Sequence, residues 1–457
     1  MVTSSRAWLL VSATAILGCS GGTGPAPELN PQGQPPTTSA PPATTIPPGT
    51  VEPGGTGPVY PGTGFRVHEW GTNTVVVGSD GSMQRGLHHE EEDLPSFVYD
   101  RRREDIAKDV DVKMETPVTY FYSDKPLTAK VAVRFPQGIL TQWFPSVMSF
   151  FPPTFKGRGD PALDRNYTFT NAQCKAQYGA IQNGELDWGD VEILPRGEKP
   201  NLLEASLDRF TWSHARDVDA NALRIKAATN QDERFLFYRG LGNFPIGVKV
   251  TTGADGKLTL KNQDPTAKVG SVFVLRVENE KAAFEVVPAG IVAGGSLDKL
   301  APPATQPIAT YAQNLAVAMV AELDKAGLYH DESVAMVKTW ARQWFRTPGI
   351  RVLYLAPEAW TNAQIPLEIT PKPMETVRVM VIRVEALAPA DETLDVSAAQ
   401  KLDGATKAEG EAHFASLGRF AEPRLRRAIQ KMGNAPVGAT QLLDKIAGAD
   451  VSARAGE

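Results

Sequence analysis

Short apolar runs of period two recur through the first half of this chain, and that period limits what the chain can fold into. Val131, Val133 and Phe135 alternate with other residues, the spacing that sets side chains on one face of a strand. Residues 65–70 and 72–77 precede an Asp80-Gly81 turn, and residues 118–122 and 130–135 flank a polar connection containing Pro126. Residues 246–250 and 257–260 enclose a Gly/Asp-rich turn, while 272–277 and 283–287 form a further pair. Such runs predict an antiparallel, sandwich-like β-rich region over residues 65–300. Beyond the APPATQP stretch the period changes. Leu315, Met319 and Leu323, then Val337, Trp340, Ala341, Trp344 and Phe345, fall at helical spacing. Asp331 is placed to cap the second of these helices, and Pro348-Gly349 to stop it. Strand patterns return at 351–355 and 377–384, and two last helices carry Leu425, Ala428, Ile429 and Met432, then Leu442, Leu443 and Ile446. The expected fold class is therefore a β-rich α+β chain, with a mixed α/β region and C-terminal helices over 301–457.

The N-terminus obeys a different logic. Arg6 precedes an apolar run from Ala7 to Leu17, followed by Gly18 and Cys19. The run is shorter than the roughly 20 residues of a membrane-spanning helix and suits a cleaved export signal. Gly18-Cys19 after that run resembles the lipobox of bacterial lipoproteins. The resemblance implies a signal peptide at 1–18, acylation of Cys19 and an extracytoplasmic, lipid-anchored protein. Ser20 in place of aspartate implies outer-membrane sorting. Residues 19–64 are dominated by Gly, Pro and Thr; with almost nothing large and apolar to bury, they read as a semi-extended tether.

Composition removes several classes of function. The formal charge of -5 is spread along the chain, whereas nucleic acid selects a strongly basic face. Neither a Walker loop nor a dinucleotide fingerprint is present. The chain has two cysteines, and with Cys19 acylated, Cys174 has no intramolecular partner. Ser296-Leu297-Asp298-Lys299 matches a bare Ser-x-x-Lys spacing without the companion motifs of serine acyl enzymes.

Three of the six histidines lie in HEWGT and GLHHEEED. Imidazole and carboxylate are donors suited to zinc, manganese or iron. The expected ligands of a divalent transition metal such as zinc are His68 with His88 or His89, completed by Glu90 or Glu92, with Glu69 or Glu91 activating water. Since His88 and His89 would point to opposite faces of a strand, both need not bind one ion. The competing reading is an acidic loop, solvated or paired with Arg101, Arg102 and Arg103. His214, near Asp217, is a second candidate general base, and Glu185, Asp187 and Asp190 around Trp188 read as an acidic turn.

Two functional expectations follow. One is a lipid-anchored binding or envelope-associated protein that meets an envelope protein or glycan through its loops. The other is a metal-dependent envelope hydrolase built on the acidic histidine region. Both place the protein at the envelope, where the lipobox resemblance implies an anchor. Cys19→Ala is expected to abolish incorporation of labelled palmitate and to move the protein out of the membrane fraction on cell fractionation.

Overall fold

Two twelve-residue strands, one near each end of the folded body, lie side by side in its principal sheet. The computed structural model describes residues 51–91, 93–100, 110–152, 181–203, 211–225 and 231–452, with side chains to 448. Cys19, Glu92, Arg101, Arg102, Arg103 and Cys174 lie outside the described residues.

The strands of the principal sheet are β1 (Arg66–Val77), β2 (Tyr99–Asp100), β3 (Val112–Tyr122), β4 (Gly138–Phe144), β5 (Leu236–Gly242), β6 (Val272–Glu278), β7 (Lys281–Val287), β8 (Gln306–Pro307), β9 (Gly349–Leu355) and β10 (Glu375–Ala386). Their spatial order is β8-β7-β6-β9-β10-β1-β3-β5-β4-β2. The sheet is mixed, because β1 and β10 pair in parallel from Arg66↔Glu375 to Val77↔Ala386. No hairpin turn dictates the direction of two strands so far apart in sequence. Strands from both sides of residue 300 thus enter one sheet. Leu127–Phe135 departs into a six-stranded sheet with Gly184–Ile193 and Leu367–Thr370, and Val248–Thr252, Lys257–Asn262 and Ser296–Leu300 form a three-stranded one. The structure is an α+β fold: a β-rich N-terminal region followed by C-terminal helices.

The segments expected at 65–70 and 72–77 are one strand with an irregularity between them. The register of β1 against β3 shifts between Trp70 and Thr72, opposite Thr116, whose φ of 42° is costly for a β-branched residue. Gly71 makes this crossing possible. A Cβ there would lie 2.9 Å from Pro117 Cα and 3.0 Å from its nitrogen, both backbone atoms with little room to move.

The helices are α1 (Trp212–Arg216), α2 (Ile308–Lys325), α3 (His330–Arg346), α4 (Glu358–Gln364), α5 (Pro389–Gln400), α6 (Lys407–Ala415), α7 (Ala421–Met432) and α8 (Val437–Ser452). In α3, Val337, Trp340, Trp344 and Phe345 are buried as their spacing predicts. Its start differs from expectation: Asp331 lies inside the first turn, and Glu332 accepts the Tyr329 N–H at 2.7 Å. Helices α5–α8 bury an apolar cluster of their own, with Leu402, Phe414, Leu425 and Leu442. Among the described residues no helix is long and apolar enough to cross a membrane.

The end of the expected tether is in contact with the body. Val51 is buried, Glu52 pairs with Lys338, Pro58 O accepts the His330 N–H, and Tyr60 packs on Tyr122. Val51, Tyr60 and the intervening prolines provide the apolar surface that the preceding Gly/Pro/Thr residues lack.

Gly71→Ala is expected to lower unfolding free energy by about 1–3 kcal/mol, as an overpacked site would. Urea denaturation followed by tryptophan fluorescence checks this.

Candidate metal centre

The HEWGT and GLHHEEED residues separate into three buried polar centres. His68 and Glu69 leave β1 toward different partners. His68 Nδ1 lies 2.8 Å from Glu332 Oε2 on α3, and Tyr122 donates its hydroxyl to Glu332 Oε1 at 2.8 Å. Burial, followed by the Glu332 charge, raises the Tyr122 phenol well above its ordinary value. Glu69 instead meets Arg378 on the neighbouring β10, while Thr119 and Tyr238 donate their hydroxyls to it. A carboxylate this thoroughly engaged is a structural counter-ion in the sheet, not a base facing open space.

The third centre begins after the turn that follows β1. Gly86 and Leu87 donate their N–H groups to Val110 O, and Leu87 packs with Val76, Leu387 and Phe420. These contacts set the path of His88 and His89. Lys113 of β3 then reaches beneath them and donates to the His88 carbonyl at 3.2 Å and the His89 carbonyl at 2.5 Å. The rings stand with centroids 4.0 Å apart, so the two histidines share a side rather than diverging as they would on a regular strand. Opposite them is Glu422, in the first turn of α7 and fully buried. Its Oε2 lies 3.6 Å from His88 Nδ1 and 3.0 Å from His89 Nε2, while Arg426, one helical turn on, holds Oε1. Gly86 permits this approach, because its φ is +101° and a Cβ there would meet Glu422 Oε1 at 2.6 Å.

His88, His89 and Glu422 are the group whose ligand atoms converge, all within 4.8 Å of one another. Bonds of 2.0–2.2 Å in tetrahedral array place neighbouring donors about 3.3 Å apart, between the two observed distances. Two imidazoles and one carboxylate form a donor set suited to zinc and leave a position for a further ligand. The residues therefore fit a divalent transition metal.

This set differs from the expected one. His68 is six residues up β1 from Thr74, which pairs with Lys113; at about 3.3 Å per residue that is roughly 20 Å. His68 consequently belongs to the Glu332 centre. Glu90 is bound by Lys113 and Arg239, and Glu91 by Arg383 and Arg419, so the acidic run provides counter-ions beside the histidines. Glu92 lies outside the described residues. His214 sits in α1, where burial holds its imidazole below the ordinary value against the pull of Asp217. Glu185 and Asp190 pair at the surface with Arg134 and Lys130.

The cations extend inward. Arg419 makes a bidentate pair with the buried Glu115, and Arg351 and Arg383 share Glu385. Burial works against ionised Glu115, yet Arg419 and Lys113 outweigh it and hold its carboxyl at about 2. Burial likewise brings Lys113 down to about 8 despite Glu90 and Glu115. Arg239 and Arg419 each keep a buried Nε without a hydrogen-bond partner.

No protein-family model matches this chain, and no curated protein is significantly similar to it in sequence.

A depressed carboxyl stabilises the fold above its unfolded value and loses that contribution as pH falls through its folded one. Thermal stability should therefore fall between about pH 4.5 and 2 as Glu115 protonates. At pH 7 Glu115→Gln should cost about 3–5 kcal/mol, because Arg419 loses its buried counter-charge. Calorimetry of both proteins across this pH range reads the loss and its reduced acid dependence in the variant.

Proposed function

We propose that this protein is a lipid-anchored, extracytoplasmic metalloprotein of the bacterial envelope, a metal-dependent hydrolase whose ion is held by His88, His89 and Glu422. The observation that carries the reading is the convergence of those three side chains within 4.8 Å. The anchor rests on Gly18-Cys19 after the apolar run, and outer-membrane residence on Ser20. The assignment of zinc rests on the two-imidazole, one-carboxylate donor chemistry.

A divalent ion at this position supplies a Lewis acid that polarises a substrate oxygen and lowers the pKa of water. The chain's own residues do the positioning. Lys113 fixes the backbone of both histidines through their carbonyls, and Arg426 orients the Glu422 carboxylate from outside the donor set. Leu87 and Phe420 pack in one buried apolar cluster with Val76 and Leu387 beside the loop and α7. Glu90 and Glu91, one and two residues beyond His89, offset the cations around the centre.

Full-length protein purified in detergent without chelators should carry close to one equivalent of zinc by elemental mass spectrometry. His89→Ala and Glu422→Gln should each reduce retention by about 10–100-fold or more, while His68→Ala should leave it intact. A folded wild-type protein that takes up no added zinc, manganese or iron would remove the metal reading and return the body to a binding role toward an envelope protein or glycan.

A further inference from the structure

Helices α5–α8 follow β10 through the short link of Leu387 and Ala388, and they bury an apolar cluster separate from the core of the sheet. They pack chiefly on one another. Where they meet the body, the shared apolar cluster is small: Val76 and Leu87 from one side, Leu387 and Phe420 from the other. Other contacts across this junction are polar. Arg419 pairs with Glu115 and Glu91, Arg427 pairs with Asp80, and Glu392 accepts the N–H and hydroxyl of Ser79. Taking both partners of such ion pairs out of water cancels much of their attraction, so these contacts orient the helices more than they retain them.

The donors of the metal centre lie on opposite sides of that junction. His88 and His89 belong to the loop after β1, and Glu422 to the first turn of α7. Helix α7 lies directly on this loop. A Cβ at Gly86 would meet Glu422 Oε1 at 2.6 Å, and one at Gly78 would meet the Arg427 guanidinium at 2.9 Å. The three donors therefore converge only while α7 is seated. An ion bound to them joins the helices to the sheet through bonds that neither side supplies alone.

We propose that the ion is a staple: its binding seats α5–α8 against the sheet, and its loss lets them leave as a unit, taking Glu422 out of the centre. Metal occupancy thereby switches the site between an assembled and a dismantled form, and this regulation rests on the metal reading above. Because binding and seating are linked, each strengthens the other by the same factor. Junction contacts that involve none of the donors, such as Ser79 with Glu392, thus contribute to metal affinity.

Hydrogen exchange of the full-length protein in detergent, read by mass spectrometry with and without zinc, tests the staple. Zinc at roughly one hundred times its dissociation constant should slow exchange in α5–α8 by about 100-fold and leave β1, β3 and β10 unchanged. The same zinc should have a far smaller effect in His89→Ala. Ser79→Ala and Glu392→Gln, which alter no donor, should each weaken zinc binding by about fivefold or more, measured by competition with a chelating dye. Zinc that binds without slowing α5–α8, or that slows helices and sheet alike, overturns the staple and leaves the metal site standing. Zinc affinity unaltered in both junction variants also overturns it. Folded protein that binds no zinc overturns the metal reading and the staple together.

Discussion

The pairing of Arg419 with Glu115 is the contact on which the arrangement around the histidines depends. It joins the C-terminal helical cluster to the principal sheet at a fully buried point, with both carboxylate oxygens engaged. Apolar contact there is small, consisting of Val76, Leu87, Leu387 and Phe420. Charge therefore sets the orientation of the junction. An ion pair in such surroundings adds less net stability than its Coulomb energy suggests, because both partners give up water. It adds direction instead. Arg419 lies two residues before the start of α7, so fixing it against β3 also fixes where Glu422 enters the centre.

One rule then explains the three polar centres. HEWGT is a strand segment lodged among neighbours on both sides, so its ionisable and hydroxyl side chains need buried partners. His68 finds Glu332, Glu69 finds Arg378, and Thr72 donates to the Val381 carbonyl. Gly71 lets the strand change register between them. The conspicuous residues of the motif thus specify strand placement. The ion-binding geometry belongs to the next loop, where Lys113 turns two consecutive histidines toward one carboxylate.

Much of the fold was legible from local periodicity. The stripe of α3, the helices over 421–432 and 437–452, and the hairpins at 248–262 and 272–287 follow from apolar spacing bounded by Gly or Pro. Helices α4, α5 and α6 escaped detection, because Ala, Thr and charged residues give them only a faint apolar stripe. The parallel partner of β1 was also hidden, since nothing in either strand records which distant segment lies beside it. For the site, His88 and His89 were legible as ligand-type residues and Glu422 was not. Its neighbours Leu425 and Ala428 mark a packed helix, and an acidic residue in a first helical turn is ordinary on helix-dipole grounds. His68 misled for the converse reason: it is close in sequence to His88 but is carried up the strand.

The parallel pairing of β1 with β10 has a consequence for a chain that is made from its N-terminus. The first strand must wait for the last of the described strands before the centre of its sheet can close. Until residues 375–386 arrive, one edge of β1 remains open, and contacts of such sequence separation form slowly. His88 and His89 wait longer still, for α7. An ion held by all three ligands would therefore mark a molecule folded from β1 through α7, so metal retention would double as a readout of completed folding.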